Sequence, residues 1–220
     1  MKNLKFMSVV LMLAVSLGVT AQSVRTEKMK EAKKELKEKA SKEARKAAKK
    51  FKKDGWEVTP GQLPLERQLD RSYMLELQVD DDLKPLFAMG EAMSIGETYD
   101  AAKIQATELA RMQIAGKISS EAKGIVENLV ANKQLAAGEA ASITTTMVEN
   151  TSIFSAKLGQ LTDVVECYRT LANKNKEVMV RLATKRSAIQ EIAKTAIREE
   201  LEKRGVELSK EMKEYLSARK

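Results

Sequence analysis

Histidine is absent from this chain of 220 residues, and cysteine occurs only once, as Cys167. The lack of histidine removes the usual proton shuttle and the commonest metal ligand. A single cysteine can form neither an internal disulfide nor a thiolate metal cluster. Aromatic residues make up 4% of the chain, which has only 10 glycines and 3 prolines. So few turn-forming residues argue against a collagen-like or disordered chain and favour helices.

The motifs of common enzymes are also missing. Without histidine there is no Ser–His or Cys–His nucleophile pair and no zinc-protease motif. The nearest approach to a phosphate-binding loop, residues 90–96, lacks the lysine and the Ser/Thr that should follow. Three consecutive aspartates at 80–82 lack the glycine and the distal glutamate of a calcium loop, so we interpret them as a hairpin turn. We therefore expect no catalytic residue, no metal site and no cofactor.

The first 21 residues have the pattern of a secretory signal peptide. Lys2 and Lys5 precede an apolar stretch at 6–19, and the small residues of Val19-Thr20-Ala21 predict cleavage before Gln22. The apolar stretch is shorter than the roughly 20 residues that a membrane-spanning helix needs. No cysteine lies near the cleavage site, so lipidation is not expected. We expect a mature protein in the periplasm or associated with the outer membrane.

Positive charge is concentrated in one segment. Residues 25–53 hold 14 lysines and arginines and 5 glutamates, a net charge of +9. Residues 54–220 hold 23 lysines and arginines and 26 aspartates and glutamates, a net charge of −3. Apolar residues at spacings of three and four predict that this segment is a helix, and Asp54-Gly55 predicts its end. The basic segment is therefore expected to form a helical arm.

The basic arm leaves two interpretations open. Its cations either meet an anionic membrane surface or another acidic polymer, or form a solvated face while the apolar stripe lies on the body or on a partner helix. Charge runs are usually solvated faces, which makes the second interpretation the default. Nucleic acid is not expected, because the signal peptide exports the chain. The candidate anionic-surface contacts are Lys42, Arg45, Lys46, Lys49, Lys50, Lys52 and Lys53.

The sequence that follows the basic arm, which we call the body, predicts helices that alternate with pairs of strands. Period-two patterns indicate strands, long runs of helical spacing indicate helices, and the sole tryptophan, Trp56, is expected to pin its segment to the core. The expected elements are strands at Tyr73–Val79 and Pro85–Met93, helices at about 97–133 and 136–156, strands at Leu161–Leu171 and Lys176–Ala183, and a helix at about 185–217 that Gly205 interrupts.

The expected fold class is α+β, with a small four-stranded antiparallel sheet packed by a long Ala-rich helix and with long N- and C-terminal helices. Those terminal helices would pair within one chain or across a homo-oligomer. The expected organisation is a signal peptide at 1–21, a basic helical arm at 22–54, a docking linker at 55–71, an α+β domain at 72–184 and a C-terminal amphipathic helix at 185–220.

Four stretches carry a resemblance to a known family: Tyr99–Arg111, Ile114–Ser120, Val164–Tyr168 and Val178–Ala183. Together they resemble the twenty-kilodalton Helicobacter lipoprotein (FlgP-like) family, in which an Ala-rich helix precedes a strand ending in Tyr or Trp and a "V.V.LA" strand. The segment Trp56–Leu69 is similar to secreted proteins of Bacteroidetes type. The resemblance implies a small α+β envelope domain with assembly or structural roles and brings no catalytic residues. This chain lacks the lipobox cysteine and adds the basic helix.

We interpret the protein as a non-enzymatic secreted cell-envelope protein with a structural or adaptor role, which binds envelope components or itself. One alternative is a periplasmic ligand-binding module, which predicts a concave apolar pocket near Tyr73, Phe87 and Tyr168. Another is an unusual carboxylate-dependent hydrolase, which predicts two carboxylates of raised pKa in one cleft.

Overall fold

The structure is a computed structural model, and it describes residues 41–149 and 151–217. The expected signal peptide at 1–21 and the part of the basic arm at 22–40 lie outside the described residues. The chain divides into two units, Met1–Glu43 and Ala44–Lys220. The fold below is that of the second unit.

The described residues form seven helices and three strands. In chain order they are α1 (41–53), α2 (Leu65–Glu76), β1 (Phe87–Gly96), α3 (Tyr99–Ala131), α4 (Ala137–Glu149), α5 (Thr151–Lys157), β2 (Thr162–Thr170), β3 (Lys176–Lys185), α6 (Arg186–Lys203) and α7 (Lys210–Ser217).

The three strands form one antiparallel sheet in the order β1-β3-β2. β1 pairs with β3 from Phe87↔Lys185 to Gly96↔Lys176 without interruption. β2 pairs with β3 as a hairpin, with a register shift between Asp163 and Val165. The sheet separates two cores, because alternate residues of a strand point to opposite faces. The larger core lies on the side of α3, and the smaller one contains α1, Trp56 and α2.

The expected fourth strand is wrong, because residues 73–76 belong to helix α2. The apparent alternation of Tyr73 to Val79 competes with a helical stripe at 65, 68, 69 and 72, whose members are all buried. Two members of that stripe, Gln68 and Ser72, are polar, so the stripe does not stand out as apolar. Beyond the helix, Val79 forms only an isolated bridge with Pro85. The described part of the chain is α+β with three strands rather than four.

Helix α3 lies against β1 at very short range, which its small side chains allow. Ala102, Ala106 and Ala110 are fully buried along the helix. At the crossing, a Cβ added to Gly90 would overlap the carbonyl oxygen of Ala110 and lie 2.9 Å from Cγ1 of Ile114. Glycine at position 90 therefore sets how closely the helix packs on the sheet.

The last two helices expected from the sequence each correspond to two helices in the structure. Residues 136–156 form α4 and α5, and the last helix is divided into α6 and α7 around Gly205. Gly205 has a φ of +71°, a conformation that favours glycine. Within the described residues, no helix combines the length and the apolar character needed to cross a membrane.

Candidate functional site

Helix α1 is fixed to the body through small side chains and a defined helix end. Ala44 and Ala48 are buried in the smaller core, and Phe51 packs beside them. At the end of the helix, Gly55 has a φ of +82°, and the Trp56 N–H donates to the Phe51 carbonyl at 3.0 Å. The Phe51 and Trp56 rings meet edge-on at 5.8 Å. This is a Schellman ending with its usual apolar contact, and it sets the direction in which the chain leaves the helix.

The segment after α1 is bound to the edge of β2. Glu57 and Tyr168 exchange two backbone hydrogen bonds, of 2.7 and 2.9 Å. The Arg169 guanidinium lies 5.0 Å from the centre of the Trp56 ring, as in a cation–π contact. Trp56 is buried and does pin its segment to the core. The helix is thereby held to the sheet rather than projecting from it.

The face of α1 opposite the core is cationic. At about 100° per residue, positions 45, 46, 49, 50, 52 and 53 span an arc of about 160° centred away from Ala44 and Ala48. All six side chains are exposed. None of them lies within ion-pair distance of a carboxylate among residues 41–149 and 151–217. We call these six residues the cationic face; they are Arg45, Lys46, Lys49, Lys50, Lys52 and Lys53.

All seven residues singled out from the sequence are exposed. Six form the cationic face, and the seventh, Lys42, belongs to the first unit of the chain. The sequence could place them on one helix opposite an apolar stripe, but it could not show whether that stripe packs on the body or on a partner helix. The buried alanines now show that the cations point to solvent.

No family model, curated protein or solved structure matches this chain. The resemblance to the twenty-kilodalton lipoprotein family stays a prediction.

A second polar cluster, which sequence reasoning missed, surrounds Glu166 in the middle of β2. Glu166 is only 7% exposed. Its carboxylate accepts the Tyr99 hydroxyl hydrogen and lies 2.9 Å from the Lys103 ammonium, both on the first turns of α3. Its backbone N–H donates to the Gln68 side chain at 2.7 Å. The signal in the sequence is a lone glutamate in the buried run Val-Val-Glu-Cys-Tyr, since buried carboxylates need partners.

The pKa shifts in this cluster show what it can do chemically. Burial alone would raise the pKa of Glu166, but the Tyr99 hydroxyl and the Lys103 ammonium outweigh it, and the pKa is lowered. Burial and the adjacent carboxylate raise the pKa of Tyr99. Glu166 is then a weak base and Tyr99 a weak acid, the reverse of what acid–base catalysis requires. The hydrolase alternative expected raised carboxylate pKa values, and Glu166 is shifted the other way.

A third cluster is built on Arg181 of β3, under helix α2. Its guanidinium donates to the Ser72 hydroxyl at 2.6 Å, to Glu76 at 2.8 Å and to Glu91 at 2.6 Å. The Arg181 side chain is 17% exposed. These charge-assisted hydrogen bonds connect α2 to β3 and, through Glu91, to β1.

The lone cysteine is buried between the same elements. Cys167 is 1% exposed, and burial, with the negative charges of Glu91 and Glu166, raises the pKa of its thiol to about 12. A thiol with this pKa is protonated at neutral pH and is a poor nucleophile.

The three aromatic residues expected to line a ligand pocket lie in different surroundings. Tyr73 packs in the smaller core. Tyr168 meets the Tyr99 ring edge-on at 5.4 Å. Phe87 lines a cavity of about 540 Å³ beside the aspartate turn and the start of α6. They do not converge on one apolar pocket.

Proposed function

We propose that the protein is a non-enzymatic cell-envelope adaptor that docks its folded body onto an anionic surface through the cationic face of α1. The observation that carries this proposal is the division of the helix into two sides. One side is buried against Trp56 and the smaller core, and the other presents six exposed cations, none of which forms an ion pair with a described carboxylate.

Intrahelical electrostatics favour docking over a merely solvated face. Arg45 and Lys49, Lys46 and Lys50, and Lys49 and Lys53 are all like-charged pairs four residues apart. Each such pair destabilises a helix by roughly 0.2–0.5 kcal/mol. A face that is only solvated keeps this cost, whereas a bound anionic surface removes it by neutralisation.

The composition of the cationic face indicates the mode of contact. Among residues 41–53 no apolar side chain lies within its arc, so this part of the helix has nothing to insert between lipid tails. Attachment then rests on charge alone, with about 1 kcal/mol from each lysine or arginine near an anionic membrane. Such attachment weakens steeply with salt. The surface best suited to this chemistry, for an exported protein, is a membrane rich in anionic head groups.

Vesicle co-sedimentation tests the proposal. The full chain, as processed by the cell that expresses it, is mixed with vesicles of phosphatidylcholine alone or with phosphatidylglycerol added. The test variant carries Arg45→Gln, Lys49→Gln and Lys53→Gln. A matched control removes the same charge elsewhere, through Lys203→Gln, Lys210→Gln and Lys213→Gln, all exposed on α6 and α7.

We expect binding only to the anionic vesicles, with release as salt rises. Loss of three contacts of about 1 kcal/mol each should weaken binding on the order of 100-fold in the test variant, while the control loses far less. Equal losses in the two triple variants would show that only net charge matters. Salt-independent binding, or none, would also contradict the proposal.

A further inference from the structure

Strand β1 forms an edge of the sheet, and its outer side is only partly covered. Backbone groups of alternate residues in a strand point to the same side. The outward N–H of Glu91 donates to the Gln113 side chain at 3.0 Å, and the outward carbonyl of Met89 accepts from Lys117 at 2.6 Å. By the same alternation, Met93 and Ile95 also direct their N–H and C=O groups outward, and no described side chain reaches them.

The uncovered part of the edge is also apolar. The side chains of Met93 and Ile95 are 53% and 51% exposed. Beside them, Leu109 and Met112 of α3 line one wall of an open groove of about 600 Å³ along the strand. An uncharged edge next to an apolar groove is the arrangement that natural proteins usually avoid or cover.

The open stretch, 92–96, has the properties of a self-complementary strand. It reads Ala-Met-Ser-Ile-Gly and holds no charge. It is bounded on one side by the Gln113 cap at Glu91, and on the other by the end of β1 at Gly96. A longer foreign strand would meet that cap. A second copy of β1, running antiparallel, ends at its own Gly96 just where the cap begins.

We propose that two copies of this chain associate through β1, with the open stretches antiparallel about a two-fold axis at Ser94. Met93 then lies opposite Ile95 of the second copy, so their outward N–H and C=O groups bond to each other. The apolar side chains meet on one face of the joined sheet, and the strand from the second copy covers Leu109 and Met112 on the other. The first charge beyond the stretch, Glu97, comes beside Glu91, whose carboxylate already pairs with Arg181.

Two substitutions test this association without disturbing the fold. Met93→Lys places a charge in the paired edge at an exposed position. Ile95→Pro removes an outward N–H while the bonds of β1 to β3, made by the even-numbered residues, remain. Val148→Lys, at a position 53% exposed on α4, is the matched control. Sedimentation velocity and light scattering give the mass of each processed chain in vesicle-free buffer.

We expect the wild-type chain and Val148→Lys to have twice the mass of one chain, and both edge variants to have the single mass with unchanged circular dichroism. A Ser94→Cys variant should form a disulfide-linked dimer on mild oxidation, because opposed residues at a two-fold axis come within disulfide range. Ser120→Cys, exposed on α3, should not. A monomeric wild-type chain, a dimer that survives both edge variants, or a dimer that Ser94→Cys fails to link would overturn the proposal. None of these readouts depends on α1 binding a surface.

Discussion

At the scale of single residues, Glu166 is the carboxylate on which stability should depend most. Replacing it with glutamine keeps its size but removes the charge that the Tyr99 hydroxyl and Lys103 stabilise. Because hydrogen bonds to buried charged groups contribute roughly 1.5–3 kcal/mol, we expect Glu166→Gln to lower the free energy of unfolding by about 2 kcal/mol at pH 7. Urea titrations of both proteins measure the difference.

The pH dependence of that difference identifies its cause. The pKa of Glu166 is lowered in the folded protein from an ordinary value of 4.5. Its contribution is therefore fully present above pH 4.5 and is lost as the pH falls through the lowered folded-state pKa. We expect the gap between wild type and Glu166→Gln to shrink in acid. A gap that stays constant with pH would mean that shape, rather than charge, is responsible.

At the scale of elements, the crossing of α3 over β1 has no room for a side chain at Gly90. An added Cβ meets the helix backbone at Ala110, which no rotamer change can relieve. We expect Gly90→Ala to cost about 3 kcal/mol, at the upper end for overpacking. Gly116→Ala, on the same helix with open space around it, should instead stabilise by about 0.5–1 kcal/mol. Thermal unfolding of the two variants gives the comparison, and equal effects would contradict the close-packed crossing.

The end of α6 gives a second prediction at this scale. The Val206 N–H donates to the Leu201 carbonyl at 3.0 Å and the Gly205 N–H to the Glu202 carbonyl at 3.0 Å, with Gly205 at a φ of +71°. This Schellman ending needs a left-handed residue. We expect Gly205→Ala to lower the free energy of unfolding by about 1 kcal/mol, measured by urea titration. Gly138→Ala, without a left-handed φ, serves as the control, and an equal loss there would argue against the motif.

The same elements show how far the sequence reaches. The period-two patterns predicted the β2–β3 hairpin, and the long Ala-rich run predicted α3 to within two residues at each end. Helix α2 was missed because its buried stripe contains Gln68 and Ser72, whose partners lie far along the chain at Glu166 and Arg181. The cationic residues could be identified from the local sequence of the basic segment alone. The Glu166 cluster and the open edge of β1 depend on pairings between distant segments, which local patterns do not encode.

At the scale of the whole molecule, the two proposals lead to a joint expectation about geometry. In a continuous antiparallel sheet, the two-fold axis between β1 strands is perpendicular to the sheet, so both copies keep the same face on the same side. Because α1 packs on the face that holds the smaller core, both cationic faces would lie on that side. A dimer could then use both helices on one membrane, which raises the apparent affinity through effective concentration.

This arrangement makes Met93→Lys a discriminating variant for vesicle binding. The added positive charge alone should strengthen binding to phosphatidylglycerol vesicles. Loss of the dimer should instead weaken that binding by at least about 10-fold, which is a modest share of the avidity that attachment at two sites can supply. Val148→Lys adds the same charge and keeps the dimer, so it should bind at least as tightly as the wild-type chain. Co-sedimentation over a range of protein concentrations measures all three proteins. If both lysine variants bind more tightly than wild type, charge alone governs attachment, and the two cationic faces do not act together.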